Sequence, residues 1–195
     1  MREVLVGLLL GDGHLETQNQ GRTYRLKVEH GEAQRDYAEW LFQLFRPLCA
    51  QATLYEKEKH GKKYVGFRTR SLGTFRFYAQ QFYQNGKKVM PANIGKLLTK
   101  TGLAIWYLDD GSRKSNRHTT YIIHSLGFSR KELMHVARIL TLKFKIRATL
   151  HRQKQRYFRL YIPSDSAKQF RGIIGPFARK FKSMELKIGN TKPKK

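Results

Sequence analysis

The chain has 195 residues, 40% of them apolar, which is enough to bury a core in one compact unit or two small packed halves and too much for general disorder. Thirty-nine Lys and Arg against 14 Asp and Glu leave a formal charge of +25, which repels itself in a compact fold and calls for a polyanionic partner. No run reaches the roughly 18 apolar residues of a membrane span, and the basic residues lie among aromatics in strand-like segments, not on one amphipathic helix, so nucleic acid is the expected partner and a membrane is not.

Residues 4–10 (VLVGLLL) form an apolar run leading into Gly11-Asp12-Gly13. Only Met1, Arg2 and Glu3 precede it, and Gly11-Asp12-Gly13-His14 is no cleavage site, so the run reads as a buried helix and not as a signal-peptide core. Glycine commonly ends a helix because it tolerates a left-handed backbone. The neighbouring aspartate then sits at the negative end of the helix dipole, where a cation relieves it. A polar, turn-like stretch leads to residues 23–29, where Leu26 and Val28 alternate with Arg25, Lys27 and Glu29, a strand with one apolar and one charged face. Tyr37, Leu41, Leu44 and Phe45 make a helical stripe. Cys49 is the only cysteine, which excludes an internal disulfide and a Cys-based zinc site and fits a reducing compartment. Residues 53–58 and 64–70 read as a hairpin around His60-Gly61-Lys62, and Phe75, Tyr78, Ala79 and Phe82 as the face of a further helix. Residues 85–101 carry the breakers Gly86, Pro91 and Gly95.

A second apolar run, residues 103–111, ends in Asp109-Asp110-Gly111. After another polar stretch come a strand at 120–125 and a helix with a capping box, Ser129 and Glu132, and the stripe Leu133, Val136, Ala137, Leu140 and Phe144. Residues 147–152 and 157–162 flank Gln153-Lys154-Gln155 as a hairpin, and Phe170, Ile173, Ile174 and Phe177 mark the last helix. Helix–strand–strand–helix–strand–strand–helix thus occurs twice. The expectation is an α+β fold of two pseudo-symmetric αββαββα repeats, 1–84 and 102–190, joined by 85–101 and followed by a basic tail at 191–195.

Asp12 and Asp110 stand 98 residues apart. One such aspartate is an ordinary solvated helix end. Two at equivalent points of a repeat come together if the runs pack in parallel, and paired hard oxygen ligands suit Mg²⁺ and phosphodiester chemistry. Gly7 and Gly11 allow close approach on one side, with Ala104 and Leu108 expected at the corresponding places of the second run. The charged strand faces and adjoining turns are the candidate DNA contacts. They comprise Arg22, Arg25, Lys27, Glu29, Lys57, Lys59, Arg68 and Arg70 in the first repeat. In the second they comprise Arg113, Lys114, Arg117, Arg147, His151, Arg152, Lys154, Tyr157, Arg159 and Tyr161. Such faces are often merely solvated; the excess of charge argues for phosphates and base edges instead.

Residues 5–13 (LVGLLLGDG) resemble the LAGLIDADG motif, and residues 103–111 (LAIWYLDDG) a divergent copy of it. Nearly the whole chain is similar to the LAGLIDADG homing endonucleases, nearest to the two-motif monomeric branch of the yeast mitochondrial omega-intron endonuclease. Lys87-Lys88-Val89-Met90-Pro91 is similar to that branch's lysine segment, and residues 183–188 to its C-terminal Met-x-Tyr-Lys segment, with Leu186 in place of tyrosine. The resemblance implies a saddle of two antiparallel DNA-binding sheets with the motif helices packed at the interface. It implies metal ligation by Asp12 and Asp110, helped by the carbonyls of Gly11 and Asp109, and active-site roles for Lys88 and Lys187, which lie 99 residues apart and so follow the same repeat. Gly11 stands where the resemblance gives an acidic or small residue, a harmless difference if the backbone carbonyl is what is used there, and no N-terminal extension is expected. The implied activity is cleavage of both strands of a long double-stranded DNA site with 3′ overhangs, using Mg²⁺, with Mn²⁺ also supporting it, by a monomer without an obligate protein partner. The expected location is intracellular, in a mitochondrion, a chloroplast or a bacterial cytoplasm. An intron RNA maturase and a non-catalytic DNA-binding protein are the competing readings; the presence of both aspartates and both lysines favours the enzyme.

Overall fold

The computed structural model describes residues 1–115, 118–154 and 157–189. Arg117 and the tail at 191–195, both named above, lie outside the described residues. The first half runs α1 (Arg2–Leu10), β1 (His14–Glu16), β2 (Arg25–Gly31), α2 (Arg35–Phe45), β3 (Tyr55–Lys59), β4 (Lys62–Arg68) and α3 (Arg76–Phe82). A small hairpin, β5 (Tyr83–Gln84) and β6 (Lys87–Lys88), and a short helix α4 (Ile94–Leu97) follow. The second half runs α5 (Lys100–Asp110), β7 (Gly111–Ser115), β8 (His118–Ile123), α6 (Arg130–Phe144), β9 (Thr149–Gln153), β10 (Tyr157–Ile162) and α7 (Ser164–Ala178), with α8 (Glu185–Ile188) after it. The two four-stranded antiparallel sheets have matching orders, β1-β2-β4-β3 and β7-β8-β10-β9. This is the expected pair of αββαββα repeats.

Local chemistry explains the elements. Leu26 and Val28 on β2 and Val65 and Phe67 on β4 are buried, and Lys27, Glu29 and Arg68, on the opposite alternation, face outward. His60 and Gly61 both take positive φ, 51° and 69°, the backbone of a two-residue hairpin turn, so Lys62 belongs to the strand and not to the turn. Ser129 and Glu132 form the expected capping box at the start of α6. Strands β1 and β7 lie in stretches whose polar composition reads as turn; β1 is held by pairing, His14 with Lys27 and Glu16 with Arg25.

Helices α1 and α5 are buried on nearly all sides and pack against each other at backbone contact. A Cβ on Gly7 would lie 2.5 Å from the Gly102 carbonyl and 2.6 Å from Ile105 Cβ, and one on Gly11 would lie 2.5 Å from Asp109 Cβ. The residues facing Gly7 and Gly11 are therefore Ile105 and Asp109, their own counterparts in the repeat, and not Ala104 and Leu108. The contacts advance in the same direction on both helices, so the helices are parallel and their C-terminal ends emerge together. Neither end uses a left-handed glycine: Gly11 has φ −99° and Gly111 φ −88°. Glycine is needed for space instead, since a Cβ on Gly13 would lie 2.7 Å from Leu8 Cβ.

The segment after α7 returns to the first half. Phe181 packs on Tyr37 (5.2 Å between ring centroids) and Trp40 (5.4 Å), and Asp36 accepts hydrogen bonds from the Ser183 backbone N–H (3.2 Å) and hydroxyl.

Candidate active site and nucleic-acid interface

Asp110 is the last residue of α5. Its carboxylate accepts a bond from the Trp106 indole one turn back (3.3 Å), and its carbonyl accepts the His124 N–H (2.9 Å). Burial, and next the charge of Asp12, push the Asp110 carboxyl up to about 7. Asp12 lies just beyond α1, with its side chain 46% exposed. Lys88 and Lys187 take equivalent places beside this pair. The turn of the β5–β6 hairpin, Asn85 and Gly86 at φ 50° and 74°, presents Lys88, whose ammonium donates to the Gly11 carbonyl at 2.6 Å. Lys187, on α8, donates to the carbonyls of Asp109 (3.0 Å) and Leu108, while Tyr107 holds the Lys187 carbonyl at 2.7 Å. Burial lowers the pKa of both ammonium groups, and the cluster of Asp12, Asp109 and Asp110 opposes that shift. The two carbonyls expected from the resemblance to face metal thus face lysines, each keeping a second lone pair.

The sheet faces gather many of the expected DNA contacts. By strand alternation Arg25, Lys27, Glu29, Lys57, Lys59 and Arg68 share the outer face of the first sheet. Arg25 pairs with Glu16 (2.8 Å), Lys57 with Glu29 (2.7 Å), and Arg68 lies 5.1 Å over the Tyr55 ring. In the second sheet His151, Tyr157, Arg159 and Tyr161 share the outer face; His151 stacks on Tyr161 at 4.2 Å and Lys114 lies 5.7 Å over the same ring. Arg22 and Lys154 sit exposed in turns. Other expected contacts are placed differently. Arg113 stands opposite Tyr121, on the inner face, and its guanidinium fills the space beside Gly189. Arg147 pairs with Asp165 at the start of α7, and Arg70 donates to the Pro47 carbonyl at 2.7 Å. Arg152 pairs in register with Phe158, on the inner alternation, although it is exposed at the strand's end.

Residues 2–170 match the model of the LAGLIDADG DNA endonuclease family. The chain belongs to that family. It is 29% identical to DNA endonuclease I-ChuI of Chlamydomonas applanata, over 90% of this chain and 89% of that protein. It is 28% identical to the cytochrome b mRNA maturase bI2 of Debaryomyces hansenii, over 97% and 74%. Among solved structures, the homing endonuclease I-WcaI bound to its DNA recognition sequence shares the fold at TM-score 0.86 and 24% identity, covering 97% of this chain and 86% of that one. A single-substitution variant of I-DmoI in complex with its target DNA and in the presence of Mn shares it at TM-score 0.56 and 15% identity, over 89% and 92%. No helix among the described residues is long and apolar enough to cross a membrane.

Around the two LAGLIDADG ends lie side chains that the sequence did not single out for chemistry. The Asp109 carboxylate accepts the Asp12 N–H (3.0 Å) and the Tyr37 hydroxyl (2.9 Å). His30 is buried on the inner face of β2, with Nδ1 3.7 Å from Asp12 Oδ2, and burial holds its pKa below the usual value. A histidine in phase with Leu26 and Val28 is the one sequence signal of this cluster. Tyr37 reads as plain core, since nothing in a helical stripe says where a hydroxyl ends. Donor atoms of Asp12, His30 and Asp109 lie within 4.8 Å of one another. Burial, with Asp12 next, also raises the Asp109 carboxyl well above the usual range. Carboxylates crowded and desolvated in this way fit a divalent cation, which offsets the cost of ionising them.

Proposed function

We propose that this LAGLIDADG chain is a site-specific endonuclease that hydrolyses both strands of double-stranded DNA at a long recognition site and leaves 3′ overhangs. The observation that carries this reading is the meeting of Asp12 and Asp110 at the joined ends of two parallel helices, each end flanked by a half-buried lysine on a backbone carbonyl. Asp12 and Asp110 would hold divalent ions, Mg²⁺ first and Mn²⁺ as a substitute, with the Gly11 and Asp109 carbonyls as further oxygen donors. Such ions, when bound, supply Lewis acidity toward the phosphodiester and the attacking water. Lys88 and Lys187 present positive charge to the phosphate as its charge develops; an arriving phosphate favours their charged form and offsets the effect of burial. The outward residues of the two sheets bind backbone and read base edges. Both halves of the site lie in one chain, so a monomer suffices, working inside the cell in an organelle or a bacterial cytoplasm.

The test is cleavage selection on a randomised or genomic DNA library with Mg²⁺, followed by sequencing of the ends. One enriched site with 3′ overhangs is expected; ends scattered without preference would sink the reading. The likeness to a cytochrome b mRNA maturase along 97% of the chain favours a second reading, assistance of intron RNA folding. Faster splicing of a host-intron transcript by a protein that cleaves no DNA would favour it.

A further inference from the structure

The two motif ends are not alike. Position 11 is glycine where its counterpart is Asp109. A Cβ at Gly11 would lie 2.5 Å from Asp109 Oδ2, so the Asp109 side chain occupies the room that Gly11 leaves. From there it crosses to the other motif. Oδ2 accepts the backbone N–H of Asp12 at 3.0 Å, and Oδ1 accepts the Tyr37 hydroxyl at 2.9 Å. Tyr37 is fully buried, with its ring packed on His30 (5.0 Å) and Phe181 (5.2 Å), so the hydroxyl is a fixed donor. Helix α1 has ended at Leu10, and Gly11 at φ −99°, ψ −128° has left helical geometry. The N–H groups on either side, of Gly11 and Gly13, still bond carbonyls of α1, Gly7 at 3.0 Å and Leu8 at 2.7 Å, whereas the Asp12 N–H takes its partner from the other helix. Among the described residues no side chain of the first motif bonds the end of the second. Gly11 has no side chain, and Asp110 is held within its own half by Trp106 and His124.

We infer that the Asp109 side chain is a positioning residue for Asp12: braced by Tyr37, it fixes the backbone of the first motif's carboxylate from across the helix interface. One of the two cutting centres thus depends on a side chain lent by the other motif, and loss of that side chain converts a double-strand cutter into a nicking enzyme. This rests on reading Asp12 and Asp110 as the carboxylates of the reaction. Displacing a reacting group by about 1 Å costs on the order of 10²-fold in rate, and only the Asp12 centre is exposed to that loss.

The experiment uses a supercoiled plasmid carrying the selected site, Mg²⁺, and separate labels on the two strands. Asp109→Ala is expected to slow cleavage of one strand by about 10- to 100-fold, so that nicked circles accumulate, while DNA affinity measured in Ca²⁺ holds. Asp109→Asn keeps an acceptor for the Asp12 N–H and an amide that the Tyr37 hydroxyl can accept from, so it recovers most of the lost rate. Tyr37→Phe slows the same strand to a lesser degree. If Asp109→Ala melts below the assay temperature, Tyr37→Phe decides alone by the same criterion of strand bias. Equal rates on both strands in these variants, or an Asp109→Asn protein as impaired as Asp109→Ala, overturns the inference. A wild type that cleaves no duplex overturns the functional reading beneath it, and so does a wild type and an Asp12→Asn variant that cleave alike.

Discussion

Asp110 carries its proton to about pH 7 in the folded chain, against 3.8 as its ordinary value. Between those values the unfolded chain is ionised and the folded one is not, so this group makes stability fall as pH rises and levels off above about 7. Asp110→Asn removes the cost. The variant is expected to gain melting temperature over the wild type at pH 8 in chelator and little at pH 4, while double-strand cleavage is abolished and DNA affinity is kept. Thermal melts of both proteins across pH check this; a constant difference would refute it. Lys88→Met and Lys187→Met should each slow cleavage at least about tenfold, the loss of ~1.4 kcal/mol of transition-state contact. Wild-type rates on both strands would show that other residues do this work.

The motif helices are the elements on which the site depends. Gly7→Val puts branched carbon where Gly102 and Ile105 already stand, and overpacking of this kind costs about 1–3 kcal/mol. The expected result is a melting temperature lower by roughly 2–4 °C per kcal/mol together with slower cleavage, because the aspartates ride on the separated ends. A protein unchanged in both would show that α1 and α5 do not need this contact. The repeat of these helices was legible because apolar runs ending in Asp-Gly are long and distinctive, and the lysines followed the same spacing. The pairing of Gly7 with Ile105 was less so, since a helix sequence does not show which face meets a partner. The repeat pattern calls for two strands before the second helix of each half, but the polar composition of β1 and β7 did not locate the first of them, and with β7 unplaced nothing assigned Arg113 to the inner face. The bond from Tyr37 to Asp109 spans 72 positions of chain and leaves no local trace.

For the whole molecule the charge of +25 sets how binding responds to salt. Each phosphate neutralised on duplex DNA steepens a log–log plot of affinity against salt by about 0.9, and a tight binder makes roughly 6–10 such contacts. Affinity for the site should fall by orders of magnitude between low and moderate salt. Arg25, Lys27, Arg68 and Arg159 should divide into two classes on alanine substitution. Phosphate binders lower affinity for every sequence and flatten the slope by about one, and base readers relax preference at one position. Four variants indistinguishable from wild type would remove the strand faces from the interface. Sedimentation of the complex should give one chain per duplex; two chains in the smallest cleaving species would refute the monomer.

The tie between Asp36 and Ser183, with Phe181 seated on Tyr37 and Trp40, makes the halves poor interchangeable parts. Lys187 lies four residues past that tie. A hybrid that joins this first half to a relative's second half inherits a lysine whose anchor was shaped for a different α2. Halves can be recombined to new targets only if residues 36, 37 and 40 travel with 181–183, so the unit of exchange follows this contact and not the apparent border between the repeats.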